Sequence, residues 1–254
     1  MSARFGGALE PTQPAVTSSS VASQLEKAVA DVPGWTPVDQ LLSLFNLAVA
    51  SAHLGGDLLE IGSWCGRSAV ALGLAARITG ETRVHCIDLF PAREDWRQNP
   101  DGTYSMRVSV RGEAIEAYET TTVWREPFDR DIAPLYATHA SVHDFFRSTI
   151  QAYELTDLVT DYRGTSEISR TLHARSHRFR LAFIDGDHGY EAVCRDIANV
   201  EPALLPGGWL CFDDACTTYD GVDRAIRDRV ISSPAFDLAH HVTRKLFVAR
   251  KRLR

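Results

Sequence analysis

The chain has 254 residues, 44% of them hydrophobic and 24% charged, an ordinary globular composition with enough apolar residues for one large core. Its net charge of -6 argues against a general nucleic-acid binder, which carries a basic face, and no run approaches the roughly 18 apolar residues of a membrane helix. Five cysteines (65, 86, 194, 211 and 216), odd in number and without close paired spacing, read as small core residues of a reducing, cytoplasmic protein rather than a disulfide framework.

Residues 1–20, rich in Ser, Pro, Ala and Thr, lack the charged-then-apolar order of a signal peptide and read as a disordered N-terminus; 21–254 reads as a single domain. Periodicity predicts helices over about 21–31 and 37–53, the second carrying Leu41, Leu42, Leu44, Phe45, Leu47 and Ala48. Asp57 to Ile61 is a strand, Gly62 to Gly66 a turn, Ser68 to Ile78 a helix closed by Gly80, and Arg83 to Ile87 a strand ending at Asp88. That is a βαβ unit. A long segment from Phe90 to about Tyr153 interrupts the alternation, which resumes with strands at Leu155 to Thr160, Phe179 to Ile184 and Trp209 to Phe212, separated by helices from about Glu167 and Tyr190. A helix over about 219–231 precedes an antiparallel hairpin of Phe236 to Val242 and Leu246 to Ala249. The class is α/β with a mostly parallel sheet. The basic tail Arg250-Lys251-Arg252-Leu253-Arg254 reads as a solvated end.

Two apolar runs end in carboxylates: Phe183-Ile184-Asp185-Gly186-Asp187-His188 and Cys211-Phe212-Asp213-Asp214. With a helix between them they read as parallel strands presenting acid at their C-terminal ends. Neighbouring strands lie about 4.8 Å apart, so Asp185, Asp213 and Asp214 can share one small hard cation. The alternative for each alone is a cap or a solvated turn. Between the first strand and its helix, Glu60-Ile61-Gly62-Ser63-Trp64-Cys65-Gly66 offers a tight turn at Gly62, close helix packing at Gly66 and unpaired N–H groups at the helix start. The G-x-x-x-G spacing, with Glu60 on the strand, suits a cationic ligand group better than a pyrophosphate. Asp88, ending the second strand, stands where a carboxylate accepts both hydroxyls of a ribose. The plainer reading is that the glycines only make the turn and Asp88 only caps its loop.

Glu60-Ile61-Gly62-x-x-x-Gly66, Asp88 and Leu205-Pro206-Gly207-Gly208 together resemble the motifs of class I S-adenosylmethionine-dependent methyltransferases. Phe183-Ile184-Asp185-Gly186-Asp187-His188-x-Tyr190 followed by Phe212-Asp213-Asp214 is similar to the macrocin and novobiocin-type sugar O-methyltransferases, over about residues 40–250. The resemblance implies a Rossmann-like sheet of order 3-2-1-4-5-7-6, last strand antiparallel, with helices on both faces and a helical lid insertion over about 90–153. It implies a donor lying over the first strand, its amino acid near Glu60 and Gly62, its ribose on Asp88 and its sulfonium facing Asp185. Ser63 and Ser68 flank the glycine turn and are further donor contacts. Gly164-Thr165-Ser166 resembles the family's Gly-Asp-Ser adenine turn with Thr in place of the acid, and Ser166 is equally placed to cap the next helix.

The implied activity is methyl transfer from S-adenosylmethionine to a hydroxyl of a small molecule, a sugar or vicinal diol of specialised metabolism such as antibiotic biosynthesis. A cation on Asp185, Asp213 and Asp214 would lower the acceptor pKa, and oxygen-only ligands favour Mg²⁺. Related sugar methyltransferases take their base either two places after the first metal ligand or three; here these are Asp187 and His188. Asp187 belongs to the Asp-Gly-Asp form and is preferred, with His188, which titrates nearer neutrality, as the alternative. Trp96, Tyr104, Tyr118, Trp124, Phe128 and Tyr136 make the 90–153 segment a substrate lid, or equally the core of small inserted helices or a subunit interface. Homo-oligomerisation is expected. A donor-binding accessory protein of the cephalosporin hydroxylase-like branch and a nicotinamide-dependent reductase are the alternatives; Glu60 and the missing middle glycine disfavour the second.

Overall fold

Leu58, Leu59, Glu60 and Ile61 are all buried, so the strand they form is covered on both faces, which is how parallel sheets are built. The computed structural model describes residues 18–80 and 82–253. Residues 1–17 of the N-terminal segment lie outside the described residues; from Ser18 onward the chain is helical, three residues earlier than expected. Helices α1 (Ser18–Asp31) and α2 (Val38–Ala50) lead into β1 (Asp57–Ile61), α3 (Arg67–Thr79) and β2 (Val84–Asp88). The insertion follows, with β3 (Trp96–Gln98), β4 (Tyr104–Val110), β5 (Glu113–Ala117), a single turn α4 (Arg125–Pro127) and helix α5 (Val142–Ala152). Then come β6 (Val159–Arg163), α6 (Glu167–Ala174), β7 (Phe179–Ile184), α7 (Tyr190–Val200), β8 (Leu204–Phe212), α8 (Asp220–Ile226), β9 (Phe236–His241) and β10 (Phe247–Lys251).

The main sheet runs β6-β2-β1-β7-β8-β10-β9, with β10 antiparallel to both its neighbours. Counting only its own strands, that is the expected 3-2-1-4-5-7-6. Alternation sorts the side chains into two layers. Leu58, Val84, Leu181 and Phe183 face α1, α2, α3 and α5, where they meet Leu25, Leu44, Leu72 and Phe146. Leu59, Ile87, Ala182 and Leu210 face α6, α7 and α8 through Leu172, Val193, Ile197 and Val222.

The insertion corrects the expectation of a purely helical lid. Its first half is a separate antiparallel sheet, β3-β4-β5, closed over Trp96, Tyr104, Met106, Val108, Phe128 and Ile132. Strand β6 also starts later than expected. Leu155 sits in the preceding turn, where its amide donates to Ile150 O and its side chain fills the space that Gly73 leaves open. Strand β8 starts earlier, because the Pro206-Gly207-Gly208 bulge shifts the register between Phe179–Leu204 and Leu181–Trp209 without ending the pairing.

Register places the site. Ile61 pairs with Ile87 on one side and Ile184 on the other, and Ile184 pairs with Phe212. The next residue of each strand, Gly62, Asp88, Asp185 and Asp213, therefore emerges at one level of the C-terminal edge, where the strand order reverses.

Candidate active site

Backbone hydrogen bonds lock these loop starts together: Gly62 N–H donates to Ile87 O (2.8 Å), Asp185 N–H to Ile61 O (2.8 Å) and Asp213 N–H to Ile184 O (3.0 Å). Gly62 has φ +88, and a Cβ built on it would collide with the Asp185 carbonyl. Only glycine lets the two loops pass. Above this edge lies a cavity of about 490 Å³, a volume suited to a small-molecule site. The strand loops form its floor; Pro33 to Thr36 and the insertion, through Met106, Ile115, Tyr118 and Trp124, form its walls.

Asp88 lines the cavity and accepts N–H bonds from Trp64 at Oδ2 (2.9 Å) and Phe90 at Oδ1 (2.5 Å). Both donors have φ +46, a left-handed conformation costing a non-glycine residue about 1 kcal/mol or more, so the carboxylate holds two strained turns in place. Each oxygen keeps acceptor capacity for a diol. Burial raises the Asp88 pKa, against the N–H groups of Phe90, Trp64 and Ser63. Gly66 begins α3 at φ +94, packed on Phe146, and Ser63 and Ser68 line the cavity beside it.

Glu60 is placed differently from the expectation. It is fully buried and is not among the cavity-lining residues; Oε2 accepts from Cys86 Sγ (3.4 Å) and Oε1 has no partner. Burial raises its pKa, opposed by the hydroxyls of Ser68 and Ser63, which stand between it and the cavity. Ser166 does not cap α6: its hydroxyl accepts from Asn199 Nδ2 (2.9 Å) while the residue lines the cavity with Gly164 and Thr165. Behind it, burial pushes the Asp196 carboxyl up to about 6.

The acid cluster is tighter than the sequence suggests, and divided. Asp185, His188 and Asp214 each bring a ligand atom within 4.8 Å of the others. Asp213, which also lines the cavity, is held by other partners, accepting from Gln40 Nε2 at Oδ1 (2.6 Å) and from Lys245 Nζ at Oδ2 (2.7 Å). The same ammonium reaches Asp214 Oδ1 (3.2 Å). Burial, then the Asp213 carboxylate, push the Asp185 pKa well above the usual range, with Lys245 opposing. Three carboxyl groups crowd one ammonium, an excess of acid that a divalent cation would relieve. The donor set fits such a cation, with Asp185 and Asp214 as its nearest oxygen ligands.

The two candidate bases separate clearly. Asp187 accepts from Tyr118 N–H at Oδ2 (2.7 Å), and from Gly189 N–H (2.7 Å) and Thr121 Oγ1 (3.3 Å) at Oδ1. It fastens the insertion to the β7 loop, and both its oxygens are already engaged by donors. His188 Nε2 lies 3.1 Å from Asp214 Oδ2, while Nδ1 is buried without a partner. Burial lowers the His188 pKa, opposed by Asp214, Asp187 and Asp213, which favours the neutral imidazole. Tyr219 packs on its ring at 4.2 Å.

The sequence of residues 59–215 matches the model of a family described as a methyltransferase domain. The chain belongs to this methyltransferase family. Solved structures of similar fold include the O-methyltransferase NovP (17% identity, 93% of this chain and 98% of that one, TM-score 0.61). The calicheamicin methyltransferase CalS11 (15%, 98% and 99%, 0.54) and an O-methyltransferase from Bacillus cereus in complex with SAH (15%, 93% and 93%, 0.52) are also similar. The class I S-adenosylmethionine-dependent fold and the enzyme class agree with the sequence motifs, and membership removes the reductase reading.

Two residues of the methyltransferase site were not found from sequence. Lys245 follows Arg244 in the turn just before the apolar run Leu246 to Ala249, and Gln40 lies in the buried stripe of α2 with Leu41, Leu44 and Phe45. Gln40 was visible as a polar residue at an apolar position; Lys245 left no such signal.

Proposed function

We propose that the protein is a Mg²⁺-dependent O-methyltransferase that moves the methyl group of S-adenosylmethionine to a hydroxyl of a small molecule, a sugar or another vicinal diol. The carrying observation is the cluster of Asp185, His188 and Asp214 level with Gly62 and Asp88, which sets acid, base and donor loop around one cavity. Support for an oxygen acceptor comes from the similar solved structures, whose titles call them O-methyltransferases. Among the similar structures, CalS11 is named a calicheamicin methyltransferase and, in a second structure, a TDP-rhamnose 3'-O-methyltransferase, and TomG is named for tomaymycin synthesis.

In this reading the donor's ribose diol bonds to Asp88 and its methionine end lies along Gly62, Ser63 and Ser68, with adenine near Gly164 to Ser166. A divalent cation held by Asp185 and Asp214, with Asp213 behind them, would lower the pKa of a bound hydroxyl and align it. His188, which lines the cavity, takes the hydroxyl proton, and Asp214, 3.1 Å from its Nε2, stabilises the resulting imidazolium. The oxygen then attacks the methyl carbon in line; the C–S bond breaks, its electron pair stays on sulfur, and S-adenosylhomocysteine leaves. The insertion, clipped by Asp187, keeps water out and reads the acceptor. The five unpaired cysteines suit a cytoplasmic enzyme, and a homo-oligomer remains part of the proposal.

The test is methyl transfer by the purified protein to a panel of glycosides and catechols, read by mass spectrometry with and without chelator. Donor binding without turnover on any hydroxylated acceptor would favour the accessory role, and full activity in excess chelator would overturn the metal requirement.

A further inference from the structure

A second polar cluster lies at the opposite edge of the sheet. Asp57 is the first residue of β1, about 13 Å along that strand from the Ile61 level of the active site at about 3.3 Å per residue. Its Oδ2 lies 3.2 Å from His85 Nε2 on β2 and 3.1 Å from His177 Nδ1, in the turn between α6 and β7. The cluster plays no part in the reading of the methyl-transfer site.

From these side chains we infer a cation site of the Zn²⁺ class, formed by Asp57, His85 and His177 and separate from the active site. One ligand atom from each lies within 4.8 Å of the others. Metal–ligand distances of about 2.0–2.1 Å in a tetrahedron put ligand atoms about 3.3 Å apart, so the two edges through Asp57 Oδ2 already have the required length. The other polar atoms of Asp57 and His85 are engaged from outside in the way that orients metal ligands. Arg83 N–H donates to Asp57 Oδ1 (3.0 Å), and Tyr162 OH lies 3.0 Å from His85 Nδ1. Nε2 of His85 faces Asp57 as a hydrogen-bond donor; on metal binding it would give up that proton, with Nδ1–H donating to the Tyr162 hydroxyl.

The burial gradient gives an entry path. The His85 side chain is 4% exposed and Asp57 18%, but His177 is 36% exposed, which leaves the fourth position to water. Two imidazoles and one carboxylate select a borderline cation over Mg²⁺, whose preference is for oxygen. The nearest buried cation, Arg180, bonds to Gly56 O, Thr82 Oγ1 and Thr79 Oγ1 instead of Asp57. Occupancy would staple β1, β2 and the α6–β7 turn.

The test is Zn²⁺ titration of tag-free, metal-stripped full-length protein against a chromophoric chelator, with thermal unfolding in parallel. The expected result is a site that persists in Asp214→Asn, weakens at least tenfold in His177→Ala, and raises the melting temperature of the wild type but not of His177→Ala. Tyr162→Phe, which keeps the ring, should weaken binding with its fold intact. Absence of binding at micromolar Zn²⁺, or binding lost in Asp214→Asn and kept in His177→Ala, would overturn the inference and leave the three residues as a hydrogen-bonded trio.

Discussion

Gly62 and Gly112 have the same backbone angle, φ +88, yet only Gly62 has a neighbour where a Cβ would go. Gly112 turns β4 into β5 with nothing within 4 Å, so Gly112→Ala bears only the left-handed penalty, about 1–2 kcal/mol. Gly62→Ala bears the same penalty plus a collision with the Asp185 carbonyl, which is backbone and cannot rotate aside. Overpacking of this kind costs about 1–3 kcal/mol, and parting the loops also breaks the Asp185-to-Ile61 hydrogen bond, worth about 1 kcal/mol. Gly62→Ala should therefore be less stable than Gly112→Ala by about 2–4 kcal/mol. For a domain of this size that is roughly 5–15 °C in melting temperature. Circular dichroism melts of the two variants give the difference directly, and calorimetry with S-adenosylhomocysteine should show binding lost only in Gly62→Ala. Equal melting temperatures would refute the account of why the loops need glycine there.

His188→Ala should lower kcat by about 10²–10⁴ while sparing S-adenosylhomocysteine affinity, whereas Asp187→Asn should mainly raise the acceptor KM by loosening the insertion; steady-state kinetics of both variants would separate the roles. Lys245→Met leaves buried carboxylates uncompensated, a loss of about 3–5 kcal/mol that millimolar Mg²⁺ should partly restore, as read from melting curves with and without the ion. Burial alone would raise the Asp57 carboxyl, but hydrogen bonds from His85, His177 and Arg83 outweigh it and hold the pKa at about 2, below the ordinary 3.8. A folded-state pKa below the unfolded one stabilises the fold at high pH. That contribution, about 2 kcal/mol, should be complete above about pH 5 and lost as pH falls from 4 towards 2. Urea unfolding across that range should show this loss in the wild type and not in Asp57→Asn.

The donor half was legible because short apolar runs ending in Gly62, Asp88, Asp185 and Asp213 carry strand and site in the same few residues. The proposed metal and base roles could be read only as a set. How Asp213 is held depends on Gln40 and Lys245, which approach from α2 and the final hairpin across long sequence separations. Glu60 shows the same limit: its strand position was clear, but its placement behind Ser63 and Ser68 is a packing outcome. The β3-β4-β5 sheet, by contrast, left a local signal. Met106, Val108 and Val110 alternate with polar residues up to the Arg111-Gly112 turn, a hairpin pattern that the aromatics around it obscured.

The insertion closes over its own apolar cluster, and its polar tie to the β7 loop runs from Tyr118 and Thr121 to Asp187. On the proposed function, acceptor choice is thus physically separable from donor chemistry. A lineage can then exchange the segment around residues 96–132 as a cassette, retaining the Asp187 latch, and acquire a new substrate without reworking the strand ends proposed to hold the methyl donor. The latch, more than the catalytic cluster, sets how freely this enzyme can diversify.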